Sequence, residues 1–174
     1  MKKLFSYYKV LLIAVMAVTM VATFIGSGSD SASHSGSVTC DPTTLRCYEH
    51  VTTVADWDTA NAAAQAMTHE GVSGHLVTLT SAAETQFVVA NFATAVSTHA
   101  YIGGYRIPGD NWAWVTGEPF TYTNWSPGYP PEPTLNSYET VVEFFHSGTV
   151  GGHTNVGHWN DQYRAIQRTY VVEF

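Results

Sequence analysis

The chain has 174 residues, of which 45% are hydrophobic and 12% are charged, and its formal charge is −7 at pH 7. From Ser33 onward it contains four arginines, thirteen carboxylates and no lysine. This composition excludes a nucleic-acid-binding role, because phosphate neutralisation needs clustered Lys and Arg, and it favours cation binding or a passive soluble surface.

The N-terminal segment has the pattern of an export signal. Three lysines lie in residues 1–9, and residues 10–25 are apolar apart from two threonines. A stretch of this length fits both a cleaved secretory signal and a retained single anchor, and both readings predict an exported protein that is secreted, on the cell surface or periplasmic. We assign residues 1–32 to a signal peptide or N-terminal membrane anchor and the Gly/Ser-rich residues 33–39 to a flexible tether.

Cys40 and Cys47 are the two cysteines of the chain, and an Asp-Pro-Thr-Thr turn lies between them. In an exported protein this pattern favours a disulfide that closes a small hairpin. A zinc site is disfavoured because no further ligands occur at matching spacing. The folded domain is expected to span residues 40–174.

Two helices are predicted in the first half of this domain. Asp56 can cap a helix that begins at Trp57, carries apolar residues at helical spacing and is stopped by Gly71. Ser81 and Glu84 have the spacing of a capping box, in which the carboxylate returns to the Ser81 amide, and this predicts a second helix that runs to about residue 95.

Short strands are predicted around and after the helices. They are residues 47–53, 74–79, 101–105, 112–115, 140–145 and 170–174. Residues 126–136 carry no regular pattern and are expected to be functional or mobile. Two helices with short antiparallel strands and a long loop region define an α+β domain.

Five separated motifs together carry a family resemblance. They are residues 74–79 (GHLVTL), 112–119 (WAWVTGEP), 124–128 (NWSPG), 159–161 (WND) and 170–174 (YVVEF). In this order they resemble the C-type lectin-like domain, in the bacterial type that lacks the usual core disulfides. The resemblance implies that the first and last strands pair. It places Arg164 and Val172 at two positions where relatives carry cysteines, so packing is expected to hold the long loop instead.

The resemblance also implies one calcium site. Calcium-binding members of the family use acids of the long loop together with the Asn and Asp of the Trp-Asn-Asp strand. The residues at the matching positions are Glu132, Glu139, Asn160 and Asp161. Their carboxylate and amide oxygens are the hard ligands that calcium takes, and the same four residues are the expected sugar-binding residues.

The loop triplet has two possible alignments. With a three-residue insertion, Glu132-Pro133-Thr134 stands at the triplet, whereas the usual interval from Trp125 gives Tyr129-Pro130-Pro131, which has no carboxylate. The second alignment would leave three side chains, few against the roughly six to eight oxygens that calcium takes. A second, structural calcium site is not expected, because Arg106 and Thr140 stand where acids would be needed.

The resemblance implies an exported carbohydrate-binding module and not an enzyme. Sugar hydroxyls would complete the shell of the calcium, Tyr129 or Tyr163 would pack on the sugar ring, and the Glu-Pro type resembles binders of the mannose and glucose class. The alternative is a calcium-independent protein-binding or adhesin module on the same fold. The expected partner is a carbohydrate or glycoconjugate, or in the alternative a surface protein, and membrane contact is expected only through an uncleaved N-terminal segment.

Overall fold

The computed structural model describes residues 37–92, 99–128, 130–145, 149–150, 153–154 and 156–174. The segment assigned to a signal or anchor, residues 1–32, lies outside the described residues, as does most of the tether. Within the described ranges, no helix is long and apolar enough to cross a bilayer. The first described strand begins at Val38, two residues before Cys40.

Two helices and twelve strands make up the described part of the chain. In chain order they are β1 (Val38–Cys40), β2 (Cys47–Ala55), α1 (Trp57–Ala66), β3 (Thr68–His69), β4 (Val72–Ser73), β5 (His75–Leu76), α2 (Ala82–Phe92), β6 (His99–Ile107), β7 (Asn111–Trp114), β8 (Glu139–Phe145), β9 (Thr149–Val150), β10 (His153–Thr154), β11 (Trp159–Tyr163) and β12 (Arg168–Glu173). The described residues between β7 and β8 form no strand or helix, as the sequence predicts for residues 126–136.

The main sheet has the strand order β1-β2-β12-β6-β8-β11, and β5 and β7 pair with β12 and β6 respectively. The last strand, β12, lies in the middle, antiparallel to β2 and parallel to β6. The first strand predicted from the sequence, residues 47–53, corresponds to β2, and its predicted pairing with the last strand is therefore confirmed. Strand β11 lies at one end of the order, antiparallel to β8, and carries the Trp-Asn-Asp sequence.

Helix α1 begins where the sequence predicts but ends earlier. Asp56 caps it, because its Oδ1 accepts a hydrogen bond of 2.9 Å from the Thr59 amide. The helix ends at Ala66, and the next residues pair as the hairpin β3–β4. Gly71 does not stop the helix; it lies in the hairpin turn with φ of 84°, a conformation that glycine adopts without strain.

Helix α2 keeps only half of the predicted capping box. The Ser81 hydroxyl accepts from the Glu84 amide at 3.2 Å. The Glu84 carboxylate does not return to Ser81; it accepts from the Thr80 amide at 2.8 Å and from the Tyr48 hydroxyl at 3.0 Å. Arg46 adds an ion pair of 3.0 Å, so this acid joins β2 to the start of α2. The predicted end of this helix, near residue 95, lies outside the described residues.

The central strands are apolar on both faces, and each face packs against one helix. Alternation along β6 places Ala100 and Ile102 in the cluster with α2 and Tyr101 in the cluster with α1. The first cluster also contains Tyr48, Val77, Leu79, Val88, Phe92, Trp114, Val142, Phe144, Trp159 and Val171. The second contains Trp57, Ala60, Ala64, Met67, Leu76, Val141, Tyr170 and Val172. The two-sided core holds β8 firmly, and β8 in turn supports β11.

The predicted disulfide is confirmed: Cys40 and Cys47 are joined by an S–S bond of 2.04 Å across the β1–β2 hairpin. At the two positions where relatives carry cysteines, packing is found instead. The Arg164 guanidinium lies 4.6 Å from the centre of the Trp57 ring, a cation–π contact, and Val172 is fully buried.

Candidate functional site

Trp159 anchors the region in which the candidate ligands lie. Its side chain is fully buried, and the rings of Trp114, Phe120, Tyr122 and Trp125 surround it at centroid distances of 5.4 to 5.8 Å. These contacts are edge-on, an arrangement that aromatic rings favour. The first residue of β11 therefore fixes the irregular segment that precedes the long loop.

Backbone hydrogen bonds connect Trp159 to the long loop. The Trp159 amide donates to the Asn124 carbonyl at 2.7 Å, and the Ser126 amide donates to the Trp159 carbonyl at 2.8 Å. The Ser126 carbonyl then accepts from the Glu132 amide at 3.0 Å. These bonds fix the position of Glu132 relative to β11, although the described residues between Glu132 and Ser126 form no strand or helix.

Asp161 ties the loop to the sheet a second time. This side chain is fully buried, and its two oxygens accept from the amides of Thr134 at 3.0 Å and Leu135 at 3.1 Å. Leu135 has φ of 54°, an unusual value for a leucine, and its amide hydrogen bond stabilises that turn. The peptide bond between Glu132 and Pro133 is cis.

Glu139 closes the loop where β8 begins. One of its oxygens accepts from the Thr134 hydroxyl at 2.6 Å and also from the Asn136 side-chain amide. The Asn136 carbonyl oxygen Oδ1 accepts from the Glu139 backbone amide at 3.0 Å, so the two residues bind each other reciprocally. The Arg106 guanidinium donates to the backbone carbonyl of Asn136 at 2.6 Å, which fastens the same turn from β6.

The charge in this loop is poorly compensated within the protein. Glu132 is half-buried, and its Oε2 is fully buried without a hydrogen-bond partner among the described residues. Burial, then contact with the Asp161 carboxyl and the nearby charge of Glu139, raise the pKa of Glu132 to about 7. Glu132 and Asp161 can share a hydrogen bond only when one of them is protonated, because two ionised carboxylates have no proton between them.

Asn160 differs from the other three candidates. Successive residues of a strand point to opposite faces, and Asn160 lies opposite Glu143 of β8. Its side-chain amide donates to the Glu143 carboxylate at 3.0 Å. Glu143 is almost fully buried and forms an ion pair of 2.6 Å with Arg168. The structure therefore brings Glu132, Glu139 and Asp161 to one loop, whereas the side-chain amide of Asn160 binds Glu143 of β8.

The carboxylates are near one another without forming a closed cluster. Among the described residues, one set of three potential metal ligands has donor atoms within 4.8 Å of one another, namely Cys40, Cys47 and His69. The sulfurs of that set form the disulfide and are not available as thiolates. The loop carboxylates do not meet this distance. Tyr129, the other possible start of the triplet, lies outside the described residues.

The family model of the lectin C-type domain matches residues 56–171. The chain belongs to the C-type lectin family. The predicted family and the predicted α+β fold are thereby confirmed, and members of the family are generally non-enzymatic binding domains.

Three relatives show how far the likeness extends. Halomucin of Haloquadratum walsbyi is 36% identical over 83 residues, 47% of this chain but 1% of halomucin. The EPNH mutant of CEL-I, a C-type lectin of Cucumaria echinata, is 25% identical with a TM-score of 0.64, covering 78% of this chain and 92% of CEL-I. A calcium-independent type II antifreeze protein is 21% identical with a TM-score of 0.59, covering 81% of this chain and 98% of its own. The last match shows the fold alone.

Two strand residues contact the candidate site residues of this C-type lectin domain in ways that the sequence does not predict. Arg106 was noted only as the place of a missing acid, yet it fastens the turn that carries Glu139. Glu143 was placed only inside a strand, and it is the buried partner of Asn160. A glutamate between apolar residues of a strand is a signal for such a buried pair, because a carboxylate in a core requires a partner.

Proposed function

We propose that this C-type lectin domain is an exported, calcium-dependent carbohydrate-binding module. The observation that carries the proposal is the buried Oε2 of Glu132, which has no hydrogen-bond partner among the described residues and lies near two further carboxylates. A desolvated carboxylate oxygen without a hydrogen-bond donor is unfavourable, and a bound cation would relieve both the desolvation and the mutual repulsion of the carboxylates. Hard oxygen donors of this kind suit calcium.

Glu132, Glu139 and Asp161 would hold the ion, with Asn160 as the fourth side chain. The Asn160 amide nitrogen is used by Glu143, so the oxygen of that side chain is its remaining donor atom for a metal. When bound, the calcium would supply a cation whose open coordination positions accept vicinal sugar hydroxyls.

The protein's own residues prepare the loop for this role. The Thr134 hydroxyl and the Asn136 amide donate to Glu139 and so orient its carboxylate. Asp161 holds the loop amides, and Arg106 holds a loop carbonyl. A loop held by this many hydrogen bonds loses little conformational entropy when it binds, which favours affinity for a small polar ligand.

The comparisons support the carbohydrate part of the proposal. CEL-I is a C-type lectin, and its unmutated form is 26% identical to this chain with a TM-score of 0.59. The match covers 74% of this chain and 89% of CEL-I. The apolar segment after the N-terminal lysines supports export.

A calcium-independent binding module is the second candidate, and one observation favours it. The oxygens of Glu139 and Asp161 already accept hydrogen bonds from the loop, and the loop carboxylates do not all lie within 4.8 Å of one another. The fold also occurs in an antifreeze protein described as calcium-independent. A loop held by such bonds could bind a protein surface without an ion.

Thermal unfolding with and without calcium separates the two candidates. A ligand that binds only the folded state stabilises it by RT ln(1 + [Ca]/Kd), and extracellular modules have Kd of roughly 10⁻⁴ to 10⁻³ M. At about 10 mM calcium this gives on the order of 1.4 to 2.7 kcal/mol. Wild type should also be retained on immobilised mannose or glucose and released by EDTA.

The double variant Asn160→Ala/Asp161→Ala should lose both the calcium shift and the retention. Glu70→Ala is the matched control, because Glu70 is an exposed acid in the turn of the β3–β4 hairpin, outside the loop. If wild type shows no calcium shift and is not retained on either sugar, the calcium-independent protein-binding module is the correct reading.

A further inference from the structure

A groove beside the loop that carries Glu132 and Glu139, the proposed calcium loop, exposes two tyrosines. Tyr138 is 68% exposed and Tyr163 is 45% exposed, and their ring centroids are 6.2 Å apart at 51°. The groove has a volume of about 470 Å³, within the usual range for small-molecule sites. It is lined by Asp56, Asp58, Ser137, Tyr138, Tyr163 and Arg164.

The backbone of both tyrosines is fixed by hydrogen bonds. The Tyr138 amide donates to the Asn136 side-chain oxygen at 2.9 Å. The Tyr163 carbonyl accepts from the Tyr101 hydroxyl at 3.2 Å, and Tyr101 is fully buried. The backbone that carries the two rings is therefore fixed, and binding a ligand there requires little ordering of the main chain.

The polar rim of the groove has an excess of negative charge. Arg164 forms an ion pair with Asp58 and lies over the Trp57 ring. Asp56 uses an oxygen to cap α1, and its charge has no cation paired with it among the described residues. Two carboxylates against one guanidinium disfavour an anionic ligand and leave acceptors and donors for hydroxyl groups.

This combination suits a pyranose ring. One face of such a sugar presents C–H groups that pack on an aromatic ring, and its rim presents hydroxyls that bind carboxylate and guanidinium groups. A protein-core role for the tyrosines does not account for their exposure, and an acidic oligosaccharide does not suit the charge of the rim.

The two tyrosines of the groove are immediate neighbours of Glu139, a residue of the proposed calcium site. Tyr138 precedes Glu139 in the chain, and Tyr163 is the strand partner of Glu139 across β11 and β8. We infer that the groove binds a second monosaccharide unit of a neutral oligosaccharide whose first unit is bound at the calcium loop. This inference rests on the proposed function and adds to it a preference for oligosaccharides over single sugars.

Calorimetric titration with sugars of two lengths tests the inference. The probes are mannose against linear mannotriose and glucose against maltotriose, in 10 mM calcium. We expect wild type to bind the trisaccharide of its preferred series about tenfold more tightly than the monosaccharide. In Tyr138→Ala and in Tyr163→Ala this ratio should fall to about one, whereas Tyr138→Phe and Tyr163→Phe should keep most of it, because the ring and not the hydroxyl packs on the sugar.

Val72→Ala is the control, since Val72 is 53% exposed on β4 and lies outside the groove. If wild type binds the monosaccharide and binds the trisaccharide no more tightly, the inference about the groove is wrong and the proposed function stands. Binding of neither length in calcium overturns both. If the alanine variants instead convert a wild-type dimer to a monomer while the ratio is unchanged, the groove is a self-association surface and the inference is wrong.

Discussion

Replacing Glu132 with glutamine should stabilise the calcium-free domain and at the same time weaken its response to calcium. Glutamine keeps the shape of the side chain and removes the charge that lies beside Asp161 and Glu139. It can also donate a hydrogen bond to the Asp161 carboxylate, which ionised Glu132 cannot do. A residue retained only for structure would show the opposite result, because its replacement would destabilise the fold.

The magnitude follows from the pKa of Glu132, which the fold raises from 4.5 to about 7. At 1.36 kcal/mol per unit this corresponds to roughly 3 kcal/mol, and contact of the half-buried side chain with solvent reduces it to about 1 to 2 kcal/mol. Because the pKa of Glu132 is higher in the folded state, the free energy of unfolding of wild type falls as pH rises from 4.5 to 7. Above pH 7 this contribution is constant and the destabilisation by ionised Glu132 is complete. The advantage of Glu132→Gln should therefore be about 1 to 2 kcal/mol at pH 8 and largely absent at pH 5.

Urea unfolding followed by tryptophan fluorescence measures this difference, in EDTA at pH 5 and pH 8 and again in 10 mM calcium at pH 8. For a domain of this size, 1 kcal/mol also moves the melting temperature by roughly 3 to 5 °C. Glu70→Gln is the control, because it removes an exposed acid and should change neither stability nor the calcium shift. If Glu132→Gln is less stable than wild type at pH 8 in EDTA, or keeps the full calcium shift, Glu132 is not a calcium ligand.

Three further results are expected. Cys40→Ser combined with Cys47→Ser should lower the free energy of unfolding by about 2 kcal/mol, because the bridge closes a short loop, and an unchanged urea midpoint would contradict this. A chain that starts at Ser37 should unfold in one cooperative calorimetric transition; if it is insoluble or shows no transition, the N-terminal boundary is wrong. Burial lowers the pKa of His50 and His99, so stability should fall as pH drops below 6.5, where the unfolded chain takes up protons first. This is best measured in the Glu132→Gln background, which removes the opposite contribution of Glu132, and a midpoint that does not change from pH 7 to pH 5 would refute it.

Local sequence determined the features that depend on neighbouring residues. The start of α1 follows from an Asp cap before an apolar helical repeat, and the disulfide follows from two cysteines around a proline turn. Both rest on contacts within a few residues. The separated motifs were sufficient for the family because each contributes to a different part of one core, in which Trp159 is surrounded by the aromatic residues of the earlier motifs.

Tertiary structure decided which polar groups meet. Glu84 has the spacing of a capping box, but Tyr48 and Arg46, some 36 to 38 residues away, compete for its carboxylate, and this competition exists only after β2 lies against α2. Asn160 and Asp161 are adjacent in the chain, and strand alternation alone predicts that they point apart. Sheet register then places Asn160 opposite Glu143, and loop closure brings Thr134 to Asp161 across 27 residues. Each buried polar group requires a hydrogen-bond partner, and here only the folded chain can supply it.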